Sequence, residues 1–214
     1  MQRITFFCLL LGGLLFVASC NTPSNGTPDT TDQDPTVDQA DASTVTDPGM
    51  DSNRPYTITV LDTTVKSPRK ELTGKVNGVE VTINYGSPAV NERNIYGDLV
   101  PYGKVWRTGA NEATRITFKQ DVKVGAEGAA LPAGTYSLFT LPQDKSNWTI
   151  IFNKTADQWG AYDYSADDDA LRIKGSAEEL STPAERMDFA LDGNNVEMMW
   201  SDLAISFPVA PAAR

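Results

Sequence analysis

The chain predicts an all-β fold, an antiparallel β-sandwich or jelly-roll-like domain of about nine or ten strands, and three observations carry that prediction. Short runs of alternating apolar and polar residues recur from Tyr56 to Val209. Turn signals separate them roughly every 8 to 12 residues. No helical pattern is long enough to connect parallel strands by a crossover, which excludes a parallel α/β sheet.

The ends of the chain set its organisation. Arg3 and the apolar run Ile4 to Ala18 have the charge and length of a secretory signal and are too short for a comfortable permanent span. The run closes Val17-Ala18-Ser19-Cys20, and small residues before a cysteine look like the lipobox of bacterial lipoproteins. Residues 1–19 are therefore read as a lipoprotein signal peptide and Cys20 as the lipidated first residue, held at a membrane by several acyl chains. An ordinary signal peptide that happens to contain a cysteine is the alternative. By resemblance to lipoprotein sorting, Asn21 after that cysteine favours the outer membrane of the cell envelope, with the periplasmic or surface face left open.

Residues 20–53 are predicted to form a disordered acidic tether. Between Asn21 and Asn53 there are 7 aspartates, no Lys or Arg, and almost no large apolar side chain. Such a segment cannot bury enough surface to offset chain entropy. It also carries most of the net charge of −10, since from Ser52 onward 21 acids face 17 bases. An acidic chain of this kind has no nucleic-acid footprint.

Residues 54–214 are assigned to the β domain. Leu72 to Val76, then Asn77-Gly78, then Val79, Val81, Ile83 and Tyr85 read as a two-residue hairpin, because Asn-Gly tolerates the positive φ that such a turn needs. A loop through Arg93 and Tyr96 follows, with one short helical turn expected near Gly97 to Val100. Further strands are expected at Thr114–Phe118, Val122–Val124, Thr135–Leu141 and Trp148–Phe152. Four more are expected at Leu171–Lys174, Met187–Leu191, Val196–Ser201 and Leu203–Val209, with a hairpin turn at Asn194-Asn195 and a short helix at Ala177–Leu180.

The unusual chemistry is concentrated in Leu99 to Thr117, where aromatics, glycines, Arg107, Asn111 and Glu112 share a segment too broken for a helix. The chain has no histidine and no cysteine after Cys20. That removes Ser-His-Asp and Cys-His catalysis and zinc sites built from these residues. No catalytic residue, metal ligand or cofactor is assigned. Asp163 with Asp167, Asp168 and Asp169 lacks the glycine and closing glutamate of an EF-hand loop and reads better as a solvated acidic loop.

Two constellations remain. Arg93, Arg107, Asn111 and Glu112 form a candidate polar cluster, either a ligand site that grips an anion or sugar, or a structural knot in which Arg107 pairs with Glu112 while Arg93 satisfies carbonyls. The structural reading is favoured, because a buried charge must be paired whatever its purpose, and it predicts that alanine at Arg107 destabilises the fold. Trp106, Trp159 and Tyr162 form a candidate aromatic face for stacking on sugar rings, although most such residues in a sheet domain are core.

Leu99 to Thr114, taken with Val81-Thr-Ile-Asn-Tyr85, Ile95-Tyr-Gly97, Pro132-Ala-Gly-Thr-Tyr-Ser-Leu-Phe-Thr140, Trp148-Thr-Ile-Ile-Phe-Asn153 and Gln158-Trp-Gly160, resembles the DUF2911 family of bacterial proteins of unknown function. The resemblance runs from about Ser67 to Val209. It implies a β-rich, secreted or lipid-anchored domain and supplies no activity and no catalytic residue. The expected role is a non-enzymatic binding or structural domain, with a glycan or an envelope protein as partner besides the membrane. The alternative is a glycan hydrolase working through carboxylates, Glu112 with an aspartate such as Asp163.

Overall fold

A computed structural model describes residues 54–212. The signal peptide, Cys20 and the tether lie outside the described residues. The strands are β1 (Tyr56–Asp62), β2 (Arg69–Val76), β3 (Val79–Gly86), β4 (Thr114–Phe118) and β5 (Val122–Val124), followed by β6 (Ala129–Leu131), β7 (Gly134–Pro142), β8 (Trp148–Asn153), β9 (Asp169–Asp192) and β10 (Asn195–Pro211). All pair antiparallel, in one open ten-stranded sheet of order β1-β2-β3-β4-β7-β8-β9-β10-β5-β6. An all-β antiparallel fold is what the strand spacing predicts.

The β2–β3 hairpin forms where its sequence places it. Asn77 and Gly78 adopt φ of 49° and 77°, and Val76 pairs with Val79 across them. The alternation then puts Val79, Val81, Ile83 and Tyr85 in the core. The Asn77 side chain also donates to the Val209 carbonyl at 3.2 Å, tying the hairpin tip to β10.

The last third departs from expectation. The four strands predicted after residue 170 are two long ones, because β9 changes partner along its length: Asp169–Gly175 pairs with β8 and Ser176–Asp192 with β10. Ala177–Leu180 is strand, not helix. A four-residue helix cannot outweigh its nucleation cost when Leu203, Ala204 and Ile205 offer a ladder to Glu179, Glu178 and Ala177. The break expected near Ser201 is a bulge, with φ of 52° at Ser201 and register shifts on either side. The β9–β10 turn sits on Gly193-Asn194, one residue earlier than expected. Gly97 to Val100 is a turn closed by a bridge between Tyr96 and Val100, and the one helical element among the described residues is a 3-10 turn at Ala166–Asp168.

The core is a large cluster with much of its mass in aromatics, beside a second, small one of Ala113, Phe139 and Ile151. Tyr85 on β3 meets Phe189 on β9 edge-on at 4.9 Å, and Phe152 on β8 meets Phe207 on β10 at 5.6 Å. Each such pair joins strands that are not neighbours in the ladder, so burial holds together what the ladder leaves apart. Tyr85 is further anchored by donating to the Asp188 carboxylate at 2.9 Å, which also accepts from Lys70 at 2.6 Å.

Candidate functional site

Between β3 and β4 the chain leaves the sheet and returns through Trp106 to Ala113, and this return is pinned backbone by backbone. Trp106 exchanges both hydrogen bonds with Thr140 on β7, at 2.8 and 2.9 Å. Beyond it Thr108 turns left-handed at φ 54°, a costly geometry for a β-branched residue, of order 1–3 kcal/mol. Its surroundings hold it there: its hydroxyl lies 3.2 Å from that of Thr140, and its carbonyl accepts from the Thr114 hydroxyl at 2.6 Å. Next to it the loop passes against β3 so closely that a Cβ on Gly86 would stand 2.2 Å from the Ala110 carbonyl oxygen.

Asn111, also left-handed at φ 64°, turns the chain outward, and its side-chain amide donates to the Ser67 carbonyl at 3.3 Å. The following residues pair with the loop that leaves β8. Ala113 donates to the Gln158 carbonyl at 3.0 Å and Gly160 donates to that of Asn111 at 3.1 Å, bringing Trp159 opposite Glu112. Gln158 is itself fixed, its amide donating to Asn153 Oδ1 at 3.0 Å.

The result is a groove of about 270 Å³, lined by Arg69, Glu112, Arg115, Asp157, Gln158 and Trp159 among others. Its charges alternate: Arg69 of β2 pairs with Glu112, and Arg115 of β4 pairs with Asp157. Trp159 stands at the rim with 60% of its surface exposed, and Tyr162 nearby is 86% exposed. Two larger recesses, about 500 Å³ each, lie along the β1–β3 strands and beside β8–β9. Neither takes in an exposed aromatic of this size.

The expected polar cluster is thus rearranged. Glu112 and Asn111 reach the same pinned segment, but the partner of Glu112 is Arg69, not Arg107. Arg107 is half-buried, its Nε is shut off from water, and no hydrogen-bond acceptor faces that atom. Burial pulls its guanidinium below the usual arginine range, with the nearby Tyr162 opposing the shift. Arg93 is not part of the group: exposed, it folds back on the carbonyls of Val90 and Ala89 in its own loop. Of the expected aromatic face, Trp159 and Tyr162 are at the surface. Trp106 is not; its strand-like pairing with Thr140 turns the ring inward, where it stacks on Trp200 with centroids 5.7 Å apart.

The acidic run after Tyr162 is used locally. Asp169 accepts from Asn153, Tyr164 and Arg172 at 2.9, 2.8 and 2.7 Å. Asp163 is not among the groove residues, so the carboxylate accompanying Glu112 there is Asp157. Arg69, Arg115, Asp157 and Gln158 were missed by sequence reasoning. Gln158 carried a signal, since it opens the Gln-Trp-Gly motif; the others are ordinary strand or loop charges that only pairing makes distinctive.

Fold and site together define an antiparallel all-β domain with a charge-alternating polar groove held beside an exposed tryptophan. The family model described as "Protein of unknown function (DUF2911)" matches residues 67–209, and the chain belongs to that family. No curated protein and no solved structure matches the chain. The family limits enclose every groove residue, whereas β1 lies before them.

Proposed function

We propose that this protein is a non-enzymatic binding module of the bacterial cell envelope whose groove beside Trp159 receives a glycan. In this reading the chain is anchored to the outer membrane by lipid on Cys20, the 20–53 tether spaces the domain from the lipid surface, and the sheet wraps sandwich-fashion around the aromatic core. One observation carries the proposal: Trp159 exposes 60% of a large, flat, apolar ring at the rim of a groove whose other walls are hydrogen-bonding charges. Apolar ring faces and ringed hydroxyls are the two chemistries of a sugar, and stacking with flanking bidentate polar groups suits both. The exposure is not accidental slack, because the backbone beneath Trp159 is bridged to Glu112.

The hydrolase alternative fits less well. A glycosidase needs two carboxylates free to face each other across the scissile bond. Here Glu112 and Asp157 each face an arginine. The test is a titration of the full chain, in mild detergent, against a panel of oligosaccharides followed by tryptophan fluorescence. Saturable quenching that disappears in Trp159→Ala, with the melting temperature unchanged, is the expected result. No binding by any member of the panel would return the domain to a scaffolding role. Incorporation of an alkynyl fatty acid, lost in Cys20→Ser, is expected of the anchor.

A further inference from the structure

The open sheet ends in β1 on one side and β6 on the other, and the two edges are built differently. β6 has only three residues and is followed at once by Pro132, which blunts it. β1 offers seven residues, and among the described residues no strand lies beyond it. Between Pro55 and the irregularity that follows Val60, the edge reads Tyr-Thr-Ile-Thr-Val, with no charge and no proline to discourage pairing.

The hydrogen-bonding sense of that edge follows from one contact. The Lys75 amide donates to the Pro55 carbonyl at 3.2 Å, so Pro55 faces β2. Antiparallel ladders alternate, hence Thr57 and Thr59 also face β2, while Tyr56, Ile58 and Val60 turn their amides and carbonyls outward. A second copy of β1, laid antiparallel with its centre at Ile58, presents the matching groups. Ile58 then bonds to its own counterpart and Tyr56 to the partner's Val60, each pair exchanging both bonds.

The side chains suit the same register. Tyr56 meets a β-branched valine and Thr57 meets the partner's Thr59, both favourable cross-strand pairs. The second match continues a pattern, since Thr57, Thr73, Thr82, Thr117 and Thr135 already stand opposite one another in a row that runs to this edge. Leu61, 51% exposed, falls beside the partner's Pro55. Arg54, exposed and reaching only the Tyr56 hydroxyl at 3.5 Å, arrives at the end where the partner's Asp62 lies. Thr64 occupies Oδ1 of Asp62 with two bonds, which leaves Oδ2 for the guanidinium.

We propose that β1 is a dimer interface, joining two copies of this chain edge to edge about a twofold axis at Ile58 into one continuous sheet. Such a contact uses the long edge of both copies, so assembly stops at two.

The test sediments the full chain in density-matched detergent, where the protein alone sets the mass. Twice the single-chain mass is expected. Ile58→Pro, which removes an outward amide and leaves the β2 ladder its bonds, should reduce it to the single-chain mass. Asp62→Arg should weaken the dimer by about tenfold, since the ion pair occurs twice, and Arg54→Asp added to it should restore the affinity. Disulfides read the register. Chains carrying Thr57→Cys, mixed with chains carrying Thr59→Cys, should cross-link on oxidation above the background set by Cys8 and Cys20. Either chain alone should not, because its two cysteines stand diagonally, about 7–8 Å apart. Should Ile58→Pro fail to fold, this cross-linking pattern decides. A single-chain mass at every concentration, as expected if the edge takes a segment of its own chain or a foreign peptide, would overturn the proposal. So would a dimer that survives Ile58→Pro, or equal cross-linking by either cysteine chain alone.

Discussion

At the scale of single residues, the polar chemistry was visible as composition and hidden as pairing. Arg107, Asn111 and Glu112 stand within a few positions of one another, and proximity in sequence suggests an ion pair between the first and the last. The actual partner of Glu112 is Arg69, 43 residues earlier, brought alongside by β2. No periodicity reports such a contact. The left-handed turns at Thr108 and Asn111 were equally illegible, because neighbouring Gly103 and Gly109 are the residues that advertise turns. The rearranged pairing inverts the expectation for Arg107. Arg107→Met keeps the apolar stem and removes an unmatched cation, so thermal melts should show no loss of stability, or a small gain. Arg69→Ala leaves Glu112 half-buried without its cation, at a cost of about 1–2 kcal/mol, or a fall of roughly 2–8 °C in Tm. A larger fall for Arg107→Met than for Arg69→Ala would restore the Arg107–Glu112 knot.

At the scale of elements, legibility followed the range of the forces involved. The β2–β3 hairpin was readable because its turn chemistry and its alternation are both local and agree. β9 was not, because its course is set by two different neighbours: its first part completes the β8 side of the sheet and its remainder follows β10. Ser201 shows the same limit, since a bulge and a strand end carry similar sequence signals. The coupling of the site loop to the sheet makes a prediction at this scale. Gly86 ends β3, and any side chain there collides with the Ala110 carbonyl, a backbone atom that cannot swing aside. Gly86→Ala must displace the whole 106–113 return, with an overpacking cost of about 1–3 kcal/mol or slightly more. Melting should fall by several degrees, and the glycan binding proposed for the Trp159 groove should fall together with stability. Gly78→Ala is the control: its Cβ has open space and only the positive φ of 77° opposes it, so a loss near 1 kcal/mol with binding intact is expected.

At the scale of the whole molecule, the absence of histidine fixes how stability responds to pH. With no side chain whose ordinary titration lies between about 5 and 8, melting temperature should be nearly flat across neutrality. The alkaline limb is set by groups that the fold keeps protonated. Burial, then the hydrogen bond to Asp169, pushes the Tyr164 hydroxyl up to about 12 from its ordinary 10.0, and burial beside Asp188 moves Tyr85 further in the same direction. Lys145, clamped between Glu179 and Asp202, is raised as well. Each binds its proton more tightly folded than unfolded. Their contribution is therefore complete below about pH 10 and is lost as pH rises from there through about 12 and beyond. Asp62, Glu80 and Asp144 are shifted the opposite way by hydrogen bonds from Thr64, Lys119 and Asn147, so what they add is present at neutrality and lost as pH falls below about 4. Melts from pH 3 to pH 12 should trace a plateau with two shoulders, and Tyr164→Phe should make the first part of the alkaline fall shallower. A step between pH 6 and 7, or a plateau unbroken to pH 12, would show that neither the buried tyrosines nor the clamped lysine is coupled to folding in this way.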